Sequence, residues 1–293
     1  MIQKNSSTPR RASSAFNNVP ELAEVEFFRR RWHEAAAGRR VRTVRLNRSA
    51  RIFRGTDPAA IEPALANAKL LSSEAAAKQM IFRFSGGAWL GIHLGMSGEL
   101  TVRPAPYLPA KHDHLVLETA KCALVFNDPR MFGRVQFHRG PDTPAWWTNI
   151  APAILSREFT APAVVAFLRR RARTPVKAVL LMQERFPGIG NWMADEILWR
   201  TAIHPQRRAG SLTPAEVKIL WSECRHVCRL ALDKIAGRGG VLPPDLNANI
   251  PDSWLFRHRW EDGGRDPRTG TKLLRAEIGG RTTCWSPARQ KLP

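Results

Sequence analysis

Pro20 and Glu21 are the adjacent pair in this chain with the clearest chemical potential. At the start of a chain, proline presents a secondary amine that can attack an electrophilic carbon, and a neighbouring carboxylate can carry the proton. A terminal amine has a pKa near about 8, against roughly 10.4 for lysine, so a useful fraction is unprotonated at neutral pH. Val19 precedes Pro20, however, and an amide-bonded proline has no free lone pair. The chemistry therefore requires a chain that begins at Pro20.

The same segment also has a purely structural explanation. Apolar residues recur at helical spacing, at Leu22, Val25, Phe28 and Trp32. Glu21, Glu24 and Glu26 then fall in the first turn of a helix, where the helix dipole favours negative charge. The start of a helix is by itself enough to explain the three acids.

The charge of the chain indicates a polyanionic partner. Its 293 residues include 46 Lys and Arg against 25 Asp and Glu, a formal net charge of +21. Such a balance favours nucleic acid, and the alternative is the background of an arginine-rich proteome. No run of about 18 apolar residues occurs, so no membrane-spanning helix is expected. The four cysteines form no CxxC pair, which fits a reducing cytosol.

Hydrophobic patterning divides the chain into a strand-rich and a helical part. Residues 39–138 contain alternating apolar runs between turn signals, which favours an antiparallel β-sandwich. Pro141–Trp147 is predicted to be a linker. Helices with an apolar face are predicted at Ala161–Arg171, Pro175–Gln183, Asn191–Thr201 and Pro214–Ala236. The tail from Ser253 is predicted to hold two strands around the glycine-rich turn Gly263–Gly270.

Pro187–Leu198 is the most specific stretch and reads PGIGNWMADEIL. Its two glycines allow a tight turn and a close approach to a phosphate, at which the N–H groups of the following helix would point. Extended to Pro205 and taken with Pro20–Glu26, it closely resembles the formamidopyrimidine-DNA glycosylase and endonuclease VIII family. Further matches occur in the family's order, at Ile92–Gly98, Asn127–Gly133, Lys177 and Gly279–Thr282.

The resemblance covers residues 20–290 and implies an α+β fold. Its parts are an N-terminal antiparallel β-sandwich with an N-terminal helix, a helix–two-turn–helix domain and a β-hairpin finger. The corresponding segments are 20–148, 149–250 and 251–293, preceded by residues 1–19 as a disordered leader or a mis-called start.

By this resemblance Pro20 is the Schiff-base nucleophile, Glu21 its acid–base partner, and Lys78 a catalytic hairpin lysine beside the lesion. On position alone, Lys78 fits a solvated strand lysine better. Asn191 and Arg281 match residues that hold the DNA backbone at the lesion. His93 and Lys177 match further phosphate or active-site contacts, although a histidine in a strand is usually only packed. The side chains that match those filling the gap left by a flipped-out nucleotide are Met96, Arg130 and Phe132. Taken singly, the apolar members of that set also fit a core.

Two departures from the family pattern matter. The four cysteine positions of the family's zinc finger fall at Asp266, Thr269, Ser286 and Arg289. Cys284 stands alone, so a four-ligand zinc site cannot be built, and the chain resembles the members with a zincless finger. We predict neither a metal nor another cofactor. The loop Val241–Pro251 departs from the pattern expected of the loop that caps an everted 8-oxoguanine, which leaves the preferred base open.

The sequence thus predicts a bifunctional DNA glycosylase and abasic-site lyase. It would excise oxidised bases from damaged double-stranded DNA and cleave the strand by β,δ-elimination. A monomer is expected, in the cytoplasm at the nucleoid and without membrane contact. One alternative is a lesion-binding protein of the same fold whose N-terminal chemistry is blocked. Another is a lysine-nucleophile glycosylase of the helix–hairpin–helix type, against which the strand-rich first half and the Pro-Glu start argue.

Residues 1–18 lack the apolar core of a secretory signal and match nothing in the family. Valine is encoded by GTG, which in bacteria can also start translation with methionine. Initiation at Val19 would give Met-Pro20, and methionine before proline is readily removed. We therefore expect the active chain to begin at Pro20.

Overall fold

The computed structural model describes residues 19–238 and 241–292. Its first element is the helix α1, Leu22–Ala36, which begins with a capping box between Glu21 and Glu24. The apolar face of α1 is buried, and the indole Nε1 of Trp32 donates to the Thr101 carbonyl oxygen at 3.0 Å. The predicted helix is therefore present. The predicted leader, residues 1–18, lies outside the described residues.

Two four-stranded antiparallel sheets follow, as predicted for a β-sandwich. In spatial order the first sheet contains β1 (Thr43–Leu46), β6 (Asp113–Glu118), β7 (Cys122–Asn127) and β5 (Glu99–Pro104). The second contains β2 (Leu70–Ala76), β3 (Gln79–Phe84), β4 (Ala88–His93) and β8 (Arg134–Arg139). Apolar side chains from both sheets, such as Phe82 and Phe126, share one buried core.

Residues 51–65 differ from the prediction of strands. They form the 3-10 turns Arg51–Phe53 and Pro58–Ala60 and the short helix α2, Ile61–Leu65. A five-residue helix is too short to show helical periodicity. The predicted linker contains a further short helix, α3, Ala145–Thr148.

The helical part contains α4 (Ala161–Arg170), α5 (Val176–Leu180), α6 (Asn191–Arg200) and α7 (Pro214–Ile235). Each lies within a predicted helix, although α5 ends three residues before the predicted Gln183. The helix α1 contacts β2 and β5 of the sandwich and α7 of the helical part, so it joins the two.

The tail holds an antiparallel hairpin of β9 (Leu274–Ile278) and β10 (Arg281–Trp285). Its turn is Gly279–Gly280, where both glycines adopt positive φ angles of 61° and 74°. The prediction that the two strands flank Gly263–Gly270 is therefore wrong: that segment forms turns before the hairpin, with an isolated antiparallel bridge between Arg265 and Lys272. Among residues 19–238 and 241–292, no helix has the length and hydrophobicity needed to cross a membrane.

Candidate active site

The Glu21 carboxylate is buried at the start of α6. It accepts hydrogen bonds from the backbone N–H groups of Gly190 (2.7 Å), Trp192 (2.8 Å) and Met193 (3.2 Å). The acid next to Pro20 therefore caps a helix that lies about 170 residues away along the chain. These N–H groups were predicted to face a phosphate. That prediction is wrong for the three of them, because their partner is Glu21.

The two glycines of this turn are needed for protein contacts. A Cβ atom at Gly190 would lie 2.4 Å from Cδ of Glu21, and one at Gly188 would lie 2.6 Å from Cβ of Leu22. Gly188 also has a positive φ of 88°, and its carbonyl oxygen accepts from the Leu22 N–H at 3.1 Å. The motif thus docks the start of α1 onto the start of α6.

Glu24 is a second buried acid beside Glu21. Its Oε1 accepts from the indole Nε1 of Trp192 at 2.9 Å, and its Oε2 accepts from the Glu21 N–H at 3.2 Å. Burial, and next the charge of Glu21, raise the pKa of Glu24 to about 8. Glu24 is therefore mostly protonated at neutral pH.

Burial also raises the pKa of Glu21. The charges of Lys78 and Lys177 and the N–H groups of α6 act in the opposite direction. A carboxyl group whose pKa moves toward neutrality is suited to proton transfer, because it can both give and accept a proton at the working pH.

Lys78 lies in the turn between β2 and β3 and faces this acid pair. Burial lowers the pKa of Lys78, whereas the charges of Glu21 and Glu24 raise it. The charge of Arg281 at the finger hairpin also lowers the Lys78 pKa. The structure therefore brings the predicted residues Glu21, Lys78 and Arg281 into one electrostatic environment.

His93, at the end of β4, lines the same cavity as Lys78, with a volume of about 400 Å³. Its Nδ1 accepts from the Gly95 N–H at 3.1 Å, which leaves the proton of the neutral ring on Nε2. Burial, and next the charge of Lys78, lower the pKa of His93. The ring is therefore an uncharged hydrogen-bond donor at neutral pH.

Asn191 and Arg281 lie close together, and Lys177 lies behind them. Asn191 Nδ2 donates to the carbonyl oxygen of Thr282, next to Arg281, at 2.9 Å. The Lys177 side chain is fully buried and donates to the Asn191 carbonyl oxygen at 2.6 Å and to the carboxylate of Asp195. Arg281 is exposed, whereas Lys177 is buried. A direct DNA contact by Lys177 therefore stays a prediction.

Met96, Arg130 and Phe132 are exposed on adjacent loops of the sandwich. Met96 is 45% and Phe132 41% exposed, and the Arg130 guanidinium carbon lies 4.8 Å from the centre of the Phe132 ring. Their exposure fits the predicted insertion into DNA better than the alternative of core residues. Buried Asp128 holds the two loops together by accepting from Ser97 Oγ and the Gly133 N–H, both at 2.7 Å.

Comparison with known proteins identifies the family. The formamidopyrimidine-DNA glycosylase N-terminal domain matches residues 19–135, and the H2TH domain matches residues 150–240. The formamidopyrimidine-DNA glycosylase of Laribacter hongkongensis is 33% identical over 279 residues, covering 93% of this chain and 100% of the relative. That of Gluconobacter oxydans is 34% identical over 287 residues, with the same coverage. The chain belongs to the formamidopyrimidine-DNA glycosylase family.

The fold agrees with solved structures from this family. Lactococcus lactis formamidopyrimidine-DNA glycosylase, in a complex with DNA containing an abasic site, matches with a TM-score of 0.80. The sequence identity is 23%, and the match covers 93% of this chain and 100% of that one.

The finger of this family member has no donor set suited to zinc. Asp266 occupies the first aligned cysteine position, is buried, and accepts from the Arg268 N–H at 2.8 Å. Arg289 occupies the last, and its guanidinium lies 4.9 Å from the Trp199 ring centre, with that of Arg268 at 4.6 Å. Within the described ranges, no group of three His, Cys, Asp or Glu residues could hold a metal ion.

Sequence reasoning missed three residues of the site. Glu24 was interpreted only through the helix dipole, and Trp192 and Asp195 were not singled out. Asp195 lies in the stretch Pro187–Leu198, and an acid among the apolar residues of that helix is a signal that could have indicated a buried ion pair. No local signal could have paired Glu24 with Trp192, which is 168 residues away.

Proposed function

We propose that this family member excises damaged bases from DNA and cleaves the resulting abasic site, with the Pro20 amine as nucleophile. The observation that carries the proposal is the position of Glu21. Covalently next to Pro20, it is buried at the start of α6 and interacts with the charges of Lys78 and Lys177. A nucleophile, an acid–base group and the Lys78 cation would thus share one site.

The proposed reaction begins with attack of the Pro20 nitrogen on C1′ of the damaged nucleotide. The N–C1′ bond forms, the glycosidic bond breaks, and the base leaves with a proton. Glu21 protonates the ring oxygen, so that the sugar opens to an iminium ion. Loss of a C2′ proton then expels the 3′ phosphate, a second elimination expels the 5′ phosphate, and water releases the amine.

The proposed substrate is an oxidised base in double-stranded DNA. Met96, Arg130 and Phe132 are exposed on one side of the sandwich, where they can fill the space of an extruded nucleotide. His93, Lys78, Asn191 and Arg281 are proposed to hold the backbone. The Lactococcus lactis relative has been solved with DNA containing Fapy-dG and with DNA containing an oxidised pyrimidine. We place this activity, as a monomer, at the nucleoid in the cytoplasm.

The proposal requires a free amine at residue 20, and therefore a chain from which residues 1–19 are absent. The match to the family's N-terminal domain begins at residue 19. With residues 1–19 attached, the amide nitrogen of Pro20 cannot attack. The same surface would then bind lesions without cleaving them, which is the second candidate function.

Borohydride trapping on duplex DNA with an abasic site tests the proposal. One form begins Met-Pro20, and the other retains residues 1–19, as verified by intact mass. We expect a covalent adduct from the first and little from the second. A Glu21→Gln variant of the short form tests whether adduct formation also needs the Glu21 carboxyl group. No adduct from the short form would remove Pro20 as nucleophile, and a strong adduct from the intact long form would transfer that role to a lysine.

A further inference from the structure

Asp195 on α6 is a buried carboxylate with hydrogen-bond partners from three other parts of the chain. Its Oδ2 accepts from Nη2 and Nε of Arg259 at 2.6 and 3.1 Å and from the Cys284 N–H at 3.0 Å. Its Oδ1 accepts from the Lys177 ammonium. Asp195 is 1% exposed, and Lys177 and Arg259 are 0% and 4% exposed. All three side chains are thus buried inside the protein.

One arm of this network leads to Asn191. The Lys177 ammonium bridges the Asp195 carboxylate and the Asn191 carbonyl oxygen, the latter at 2.6 Å. Asn191 is the first residue of α6, directly after the turn that holds Glu21. Lys177 therefore fixes the backbone of Asn191 through a charge that depends on Asp195.

The other arm leads to the finger hairpin. The Cys284 N–H, three residues after Arg281, donates to Asp195. Asn191 Nδ2 donates to Thr282, and a Cβ at Gly279 would lie 2.6 Å from Cβ of Ala178, next to Lys177. The hairpin turn is thus in close contact with α5, and its second strand is attached to α6.

The charges make Asp195 indispensable to both arms. One buried carboxylate faces two buried cations, Lys177 and Arg259, so its removal would deprive both of the carboxylate that they contact. Burial lowers the pKa of Lys177, and the charge of Asp195 opposes this. Without Asp195, the Lys177 ammonium would lose the carboxylate that orients it, and its hydrogen bond to the Asn191 carbonyl oxygen would weaken.

We propose that Asp195 is a positioning residue that holds Asn191 and the Arg281 hairpin in one rigid unit for DNA binding. The inference rests on the proposed function, because it assumes that Asn191 and Arg281 contact the DNA backbone. Asp195 itself does not touch DNA. Its ion pairs give the hairpin of a finger without zinc ligands a fixed geometry relative to the start of α6.

A double-mutant cycle between Asp195→Asn and Arg281→Ala tests this inference. The dissociation constant is measured for duplex DNA with an uncleavable abasic-site analogue, in the form that begins at Pro20. We expect Arg281→Ala to weaken binding roughly 10-fold in the wild-type background and less than about 3-fold in the Asp195→Asn background.

Two controls separate positioning from general destabilisation. Asp113→Asn removes another buried acid with several hydrogen bonds, in the sandwich, and its effect should add to that of Arg281→Ala. Asp195→Asn should likewise combine additively with Arg130→Ala, on the distant loop. Arg259→Gln is a further control: it leaves Asp195 bonded to Lys177 and to the Cys284 N–H, so its effect should add to that of Arg281→Ala.

The outcomes distinguish the inference from the proposed function. Additive effects of Asp195→Asn and Arg281→Ala would overturn the inference and leave the proposed function intact. No loss of affinity in Arg281→Ala itself would contradict the proposed DNA contact and the inference together, whereas borohydride trapping would still test the Pro20 chemistry on its own.

Discussion

Oε2 of Glu21 lies 2.7 Å from the backbone nitrogen of Gly190, a residue 169 positions further along the chain. The proposed acid–base group is therefore also the group that caps α6 and attaches the sandwich to the helical part. The carboxylate cannot move without disturbing that attachment, which keeps it pre-organised for the reaction.

Gly190→Ala is expected to abolish activity. The added Cβ would lie 2.4 Å from Cδ and 2.5 Å from Oε1 of Glu21, so the carboxylate must move. We expect at least a roughly 100-fold loss of kcat/KM on abasic-site DNA, since small misplacements of reacting groups have effects of that size. Gly210→Ala is the matched control, because its Cβ would lie 2.6 Å from that of Ala172, far from the site. Equal losses in the two variants would contradict the positional argument.

The sequence predicted the elements of the site better than their contacts. Periodicity, which is a local property, predicted the helix after Pro20, the strands of both sheets and the helices α4 to α7. Periodicity does not reveal the role of the PGIG glycines. They were predicted to approach a phosphate, and in the structure Gly188 lies against Leu22 and Gly190 against Glu21. Glycine signals only that a close approach occurs, and the partner is fixed by tertiary structure.

Lys177 shows the same limit for charged residues. By the resemblance, Lys177 matches a phosphate or active-site contact, and the structure shows its side chain buried against Asp195. A lysine and an aspartate 18 positions apart on different helices give no sign of pairing in the sequence. The hairpin turn was misplaced for a related reason, since Gly263–Gly270 and Gly279–Gly280 are both glycine-rich and only strand pairing distinguishes them.

The stability of the protein should fall as the pH rises toward 8, in part because of Glu24. The pKa of Glu24 is about 8 in the folded state, against an ordinary value of 4.5. Between these values the folded state keeps a proton that the unfolded state has lost, so folding weakens by up to about 1.4 kcal/mol per pH unit. Above pH 8 this contribution is constant. Glu24→Gln should reduce this dependence of the free energy of unfolding on pH, which urea unfolding at several pH values measures.

Glu26→Gln on the same helix is the control for this pH effect. Burial raises the pKa of Glu26, but hydrogen bonds from Arg29 and Arg30 outweigh it and lower the pKa overall. The contribution of Glu26 is therefore present above its unfolded pKa and is lost only in acid. Its variant should be destabilised by the same amount from pH 5 to 8. If the free energies of unfolding of Glu24→Gln and wild type also differed by a constant amount from pH 5 to 8, Glu24 would not be protonated in the folded state.

The exposed side chains of Met96 and Phe132 should matter only on duplex DNA. An extruded nucleotide leaves a gap in a duplex but not in a single strand, so only the duplex needs a filler. We expect Met96→Ala with Phe132→Ala to lower kcat/KM roughly 10- to 100-fold on a duplex lesion, as the loss of stacking by one base predicts. On single-stranded abasic DNA the loss should stay below about threefold. Leu108→Ala, at an 86% exposed residue, is the control. An equal loss of kcat/KM on duplex and single-stranded DNA would indicate that Met96 and Phe132 stabilise the fold and do not fill the gap in the duplex.

The finger should be insensitive to metal removal. A structural zinc site supplies folding free energy, so a chelator would unfold a finger that depends on it. Here the first aligned position is Asp266, whose Oδ1 accepts from the Arg268 N–H, and the pKa of Asp266 is lowered despite burial by Ser286 and neighbouring donors. We expect EDTA to leave Tm unchanged and elemental analysis to find no stoichiometric zinc. Asp266→Ala should instead destabilise the protein by about 1–3 kcal/mol, because a buried acceptor is lost, and Asp266→Asn should recover part of this since it keeps an oxygen for Arg268. Stoichiometric zinc, or a chelator-dependent fall in Tm, would refute the assignment of the finger to polar packing.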